Sequence, residues 1–193
     1  MTNPFEVLGL EPALDLDATA LEDAYRAASK QHHPDSGGGD PDAFARVGSA
    51  KATLDRLSSR IPAALQALGF DKPESAGNGS APMSGDLMDL FAELSPAIQQ
   101  VEEVAKKKLA AQSELARALL ANEEIAARRP LESAGLRIQQ AIDSRLSHLP
   151  ALDIGLAQKS PEAAPTARRL AHELAFLEKW QDQVRATLMK LFV

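Results

Sequence analysis

His33, Pro34 and Asp35 stand side by side between an amphipathic run and the segment Ser36-Gly37-Gly38-Gly39. An imidazole, a rigid ring and a carboxylate at adjacent positions can make directional polar contacts with a partner. Proline lacks an N–H and turns the residue before it away from helix, so the preceding helix should end at His33. The glycines hold neither helix nor strand, which places the tripeptide at a surface loop, where side chains are free to bind. Metal chemistry fits less well. His32, His33 and Asp35 offer ligand types, but adjacent histidines before a proline point in different directions. His148 and His172 complete no His-x-x-x-His or His-Glu-x-x-His spacing. Gly37-Gly38-Gly39 is followed by no lysine, so it is no phosphate loop, and no serine-centred nucleophile elbow exists. A docking surface without catalysis, metal or cofactor is the expectation.

Helices must position that tripeptide. Phe5, Val7, Leu8 and Leu10 suit one helical turn ending at Gly9. Asp17 is an N-cap for the next helix, with Thr19 and Glu22 as an alternative capping box. Leu21, Ala24, Tyr25, Ala28 and His32 recur at steps of three and four, a single apolar stripe. Beyond the glycines, Pro41 suits the first helical position behind Asp40, and Phe44, Val47, Ala50, Lys51 and Leu54 continue a second stripe. Two antiparallel helices bridged by the tripeptide loop are the simplest assembly. A shorter helix from Ile61-Pro62 to Leu68 closes at Gly69, letting Phe70 fold back onto the core.

Lys72 to Pro82 gathers Gly, Pro, Ser and Asn without apolar periodicity, as a linker does. The expected domains are therefore residues 1–72 and 84–193, joined by 73–83. In the second, Leu87, Leu94, Ile98, Val101 and Ala105 form one stripe, with Ser95-Pro96 as a kink or a helix restart. Leu131, Ala134, Ile138, Ile142, Leu146 and Leu149 form another, stopped at Pro150. Leu170, Leu174, Leu177, Gln181, Val184, Leu188 and Leu191 alternate steps of four and three, the seam of a helix bundle. Residues 150–165 read as a loop, pinned by Leu152, Ile154 and Leu156. Trp180 lies beside the seam and reads as a core anchor.

Composition agrees with an all-α protein. Hydrophobic residues make up 45% of the 193, but aromatics only 4%, so Leu, Ala and Ile must fill the core. No cysteine is present, which excludes disulfides and thiolate chemistry. Residues 1–76 carry twelve acidic and seven basic side chains (7 − 12 = −5), and the remainder fifteen and fourteen (14 − 15 = −1). Neither part has the basic face that nucleic acid requires. No signal-like start and no membrane-length apolar run occurs, so a cytoplasmic location is expected.

The order of short helix, amphipathic helix with Tyr25, His-Pro-Asp, loop and helix with Phe44 resembles the J-domain of DnaJ-type co-chaperones. Thr53-Leu54, Leu65 and Gly69-Phe70 resemble the end of that domain in HscB, the co-chaperone of iron–sulfur cluster biogenesis. Asp86 to Asp89 and Arg169 to Lys179 resemble the two ends of its C-terminal three-helix domain, and residues 105–165 match poorly. The resemblance implies that His33, Pro34 and Asp35, with Tyr25, Arg26 and Lys30 on the docking helix, engage a DnaK/HscA-type ATPase and stimulate it. It also implies that Leu87, Met88, Phe91 and Phe176 hold an IscU-like scaffold as client.

Helix geometry supports part of that patch independently. At about 100° per residue, Phe176 and Met88 miss their apolar stripes, whereas Leu87 belongs to its stripe and reads as core. A third helix packing from the side would bury both off-stripe residues. Two departures stand out. Glu22 and Asp23 balance Arg26 and Lys30, with Ser36 in place of the usual lysine, which weakens electrostatic steering. Ala92 and Ser95 stand where the family has acidic residues, although Glu93 and Glu102 are near. A J-domain on an unrelated client-binding or self-associating bundle remains the alternative.

Overall fold

The computed structural model describes residues 3–33, 40–70 and 83–192. Among them the regular structure is entirely helical. Two compact units form: Met1–Gly79 with Arg145–Ala175, and Ser80–Ser144 with Phe176–Val193. The linker expected at 73–83 lies almost wholly outside the described residues. The first unit also takes in residues 145–175, which chain continuity alone would group with the bundle.

In the first unit, α1 (Pro4–Leu8) is one turn that buries Phe5 and Leu8. It ends in the expected way: Gly9 is left-handed at φ 66°, its N–H donates to the Glu6 carbonyl, and the Leu10 N–H donates to that of Phe5. α2 (Ala18–His32) starts at Asp17, whose carboxylate accepts from the Ala20 N–H at 2.7 Å, so the first of the two capping alternatives is used. α3 (Pro41–Asp55) starts at Asp40 with Pro41 in its first turn and buries Ala43, Val47, Ala50 and Leu54. It packs against both α1 and α2. α4 (Leu57–Ala67) begins a turn earlier than expected and runs through Pro62. Gly69, at φ 81°, reverses the chain so that the half-buried Phe70 donates its N–H to Leu65.

The expected loop at 150–165 is corrected in its first half by a helix, α8 (Leu149–Ala157), in which Leu149 and Leu156 are buried and Ile154 is exposed. Pro150 lies in its first turn. A proline there is pre-organised for helix and forfeits only an N–H that would be unpaired anyway, so the residue that reads as a stop is also a start. Gly155 permits the close turn into α9 (Ala163–Met189): an added Cβ would stand 3.1 Å from the Ala163 Cβ. α8 closes like α1 and α4, with Lys159 N–H donating to Leu156 and Ser160 N–H to Gly155. Here a lysine, not a glycine, takes the left-handed position, at φ 53°.

Two charged side chains hold the segment between α1 and α2. Asp153 of α8 accepts from the Leu14 N–H at 2.8 Å and the Asp15 N–H at 2.9 Å. Arg60 of α4, 8% exposed, donates to the Leu54 carbonyl at 2.6 Å and reaches the carbonyls of Leu14 and Leu16 at 3.4 Å. Leu14 is thereby fixed in the core, fully buried.

The second unit is built on α5 (Gly85–Ala110), α6 (Glu114–Leu119), α7 (Ala121–Leu146) up to Ser144, and α9 from Phe176, closed by a 3-10 turn at Lys190–Phe192. α5 continues unbroken through Pro96, so no restart occurs there. Its stripe from Leu87 to Ala105 is buried, as are Leu131, Ala134 and Ile138 of α7 and Leu177, Trp180, Val184 and Leu191 of the C-terminal run, and α5 packs against the closing 3-10 turn. Gly135 keeps α7 close to α9, since a Cβ there would stand 3.2 Å from a Val184 methyl.

Two substitutions check this account by urea denaturation. Asp153→Ala strips the acceptor from two N–H groups and should cost about 2 kcal/mol, as expected for a charge-assisted pair left unsatisfied. Lys159→Gly relieves a left-handed side-chain penalty and should add about 1 kcal/mol.

Candidate functional site

α2 ends as the His-Pro sequence demands. His33 caps it in extended backbone, φ −61° and ψ 130°, and its exposed ring meets Phe44 of α3 edge-on, with centroids 5.4 Å apart. Pro34 and Asp35 lie outside the described residues. Asp40 caps α3, its carboxylate accepting from the Asp42 N–H at 2.9 Å. The N–H groups of Ala43 and Asp42 hold the Asp40 carboxyl below the usual carboxylate range, with Arg46 and His32 adding to the effect. Because its pKa is lowered, that cap is intact at neutral pH and fails only as acid brings the pH down through the lowered value.

The rest of the expected docking face is on α2. Arg26 is exposed and pairs with Glu22 at 3.1 Å. Lys30 is exposed, and Tyr25 is half-buried with the Lys51 ammonium 5.8 Å above its ring. Lys51 is itself clasped by Asp55 at 2.6 Å and Glu22 at 3.6 Å. The Asp55 hydrogen bond raises its pKa against partial desolvation, with Glu22 a smaller contributor. Glu22 thus serves one cation on its own helix and one on α3. It locks α2 to α3 electrostatically and dilutes the positive field of the face.

The second candidate surface lies in the other unit. Met88 and Phe91, one helical turn apart on α5, are 60% and 52% exposed. Phe91 and the half-buried Phe176 flank the Trp180 ring, with centroids at 5.9 and 6.0 Å. The buried indole is the base on which Phe91 reaches solvent, with Met88 exposed one turn before it on α5. Leu87 does not join them. Fully buried, it anchors α5 from below. Neighbouring acidic groups are engaged, Glu93 with Arg137 and Glu102 with Lys190 at 2.5 Å. Among the described residues no cluster of His, Asp and Glu could hold a metal ion, and no helix is long and apolar enough to cross a membrane.

Two positioning residues carry little sequence signal. Phe44 sits in the α3 stripe like any core residue, yet it is half-buried and braces His33. Trp180 read as an anchor, but its role as the base of the aromatic patch appears only when α5 is laid beside it.

No protein-family model and no curated protein matches the sequence. Among solved structures, the chaperone HscB from Vibrio cholerae superposes with a TM-score of 0.55 over 96% of each chain at 21% identity. The fold is HscB-like. It consists of an N-terminal J-domain and a C-terminal helical bundle, as the sequence resemblance implied. At 96% coverage the superposition takes in most of residues 105–165, the stretch where the sequence resemblance is poor.

Phe44→Ala tests the bracing of His33. In NMR spectra the His33 ring protons should lose their ring-current shift and move to the positions of an unstacked histidine, while α2 remains helical. Unmoved His33 signals would contradict the contact.

Proposed function

We propose that this chain is a J-domain co-chaperone that stimulates ATP hydrolysis by a DnaK/HscA-type chaperone and delivers to it an IscU-like iron–sulfur scaffold. The supporting observation is the HscB-like fold over 96% of both chains, together with His33 exposed and braced at the end of α2. In this reading residues 1–72 form the J-domain, 73–83 the linker and 84–193 the client-holding region.

His33 and Asp35 supply directional polar contacts to the ATPase and Pro34 fixes their spacing. Tyr25, Arg26 and Lys30 line the helix that approaches it. Arg26 is tied to Glu22 and only Lys30 adds a second exposed cation on that face, so association relies on fit more than on steering. Met88, Phe91 and Phe176 on their Trp180 base hold the client, apolar and adaptable through the methionine. The chain contributes no catalysis and no cofactor. Hydrolysis belongs to the chaperone, which closes on the client presented to it, in the cytoplasm.

The test is steady-state ATP hydrolysis by the cognate DnaK-type chaperones with added protein. Stimulation should be severalfold and should vanish for Asp35→Asn and for His33→Gln, with unchanged circular dichroism melts. No stimulation of any such chaperone by the unaltered protein would refute the reading.

A further inference from the structure

The end of the second unit formed by α6 has an exposed apolar surface that the proposed function does not use. The arms on either side of α6 are tied by Lys107–Glu123 at 2.6 Å and Lys108–Glu124 at 2.9 Å. The C-terminal turn is laid on the same end, Lys108 donating to the Leu191 carbonyl and Arg128 standing 5.9 Å above the Phe192 ring. Leu109, Leu115, Leu119, Ile125 and Phe192 are all more than half exposed there, Leu115 and Leu119 at 72% each. α6 itself has only six residues. A helix that short does not persist on its own propensity, and its two leucines, four apart and so on one face, point to solvent. Helix length sets this end apart from the aromatic patch. Met88 and Leu109 are 21 residues apart on α5, about 30 Å.

We infer that this surface is covered by a second copy of the same chain, giving a twofold dimer through α6. Two observations select that occupant. Residues 102–132 contain six acidic and six basic residues, so the end has no net charge to attract an oppositely charged partner or to repel its own copy. The five side chains offer on the order of 100 Å² each, so complete burial of both sets removes roughly 1,000 Å², which just reaches the floor for a specific interface. An isologous arrangement sets the Leu115–Leu119 face against its counterpart. The match in area and charge is that of a weak dimer.

Sedimentation equilibrium of the full chain, up to ~200 μM to cover micromolar association, tests it. Unaltered protein should shift with concentration from 20.6 kDa toward twice that mass. The double variant Leu115→Glu/Leu119→Glu should stay monomeric with an unchanged melt. Leu136→Glu, at a solvent-facing leucine of α7 away from this end, should dimerise normally. Three results overturn the inference: a monomer at every concentration, which leaves the surface to a foreign partner; a dimer that survives the double variant; or a dimer abolished by Phe91→Glu, which moves the contact to the aromatic patch.

Discussion

The first unit depends on how Arg60 and Asp153 hold one stretch of backbone. Residues 11–16 belong to no helix, and Leu14 within them is fully buried, so its peptide groups need partners. A carboxylate from α8 takes the N–H groups at Leu14 and Asp15, and a guanidinium from α4 takes carbonyls at Leu14, Leu16 and the end of α3. Burying a charge is costly unless every polar atom around it is met, and here the backbone meets it. The stretch leads straight into Asp17, the cap of α2. Where that cap sits decides where α2 begins, and fifteen residues later where His33 is displayed.

From there the geometry is set by side chains that hold α2 against α3. Glu22 joins Arg26 to Lys51, Lys51 reaches over Tyr25, and Phe44 braces His33. Individually such surface contacts are weak. Together they determine which face of α2 is presented and how much positive charge it carries. The aromatic patch of the other unit follows a similar design: a buried base, Trp180, holds the exposed Phe91 ring and the half-buried Phe176 ring.

Much of this was legible from sequence because the signals are local. Asp17, Asp40 and Pro41 mark helix starts, Gly9 and Gly69 mark ends, and the four–three steps from Leu170 to Leu191 trace a buried seam. The misreadings share a cause. Ser95-Pro96 reads as a kink or a restart and Pro150 as a stop, yet Pro150 opens α8 and the exposed Pro96 lies inside a continuous helix. Burial of the neighbouring stripe outweighs a local cost of about 3 kcal/mol. Arg60 and Asp153 leave no periodic trace, since their partners are backbone groups up to 46 and 139 positions away, set by the fold and not by spacing. Leu87 shows the converse: its stripe position already placed it in the core, against the patch role drawn from resemblance.

The proposed function couples client holding to ATPase stimulation in one chain. The direct test is ATP hydrolysis by the chaperone with the scaffold and this protein added singly and together. Coupling predicts that together they exceed the product of their separate effects, and that Phe91→Glu removes this excess while leaving scaffold-free stimulation intact. Purely multiplicative effects, or an excess untouched by Phe91→Glu, would contradict it.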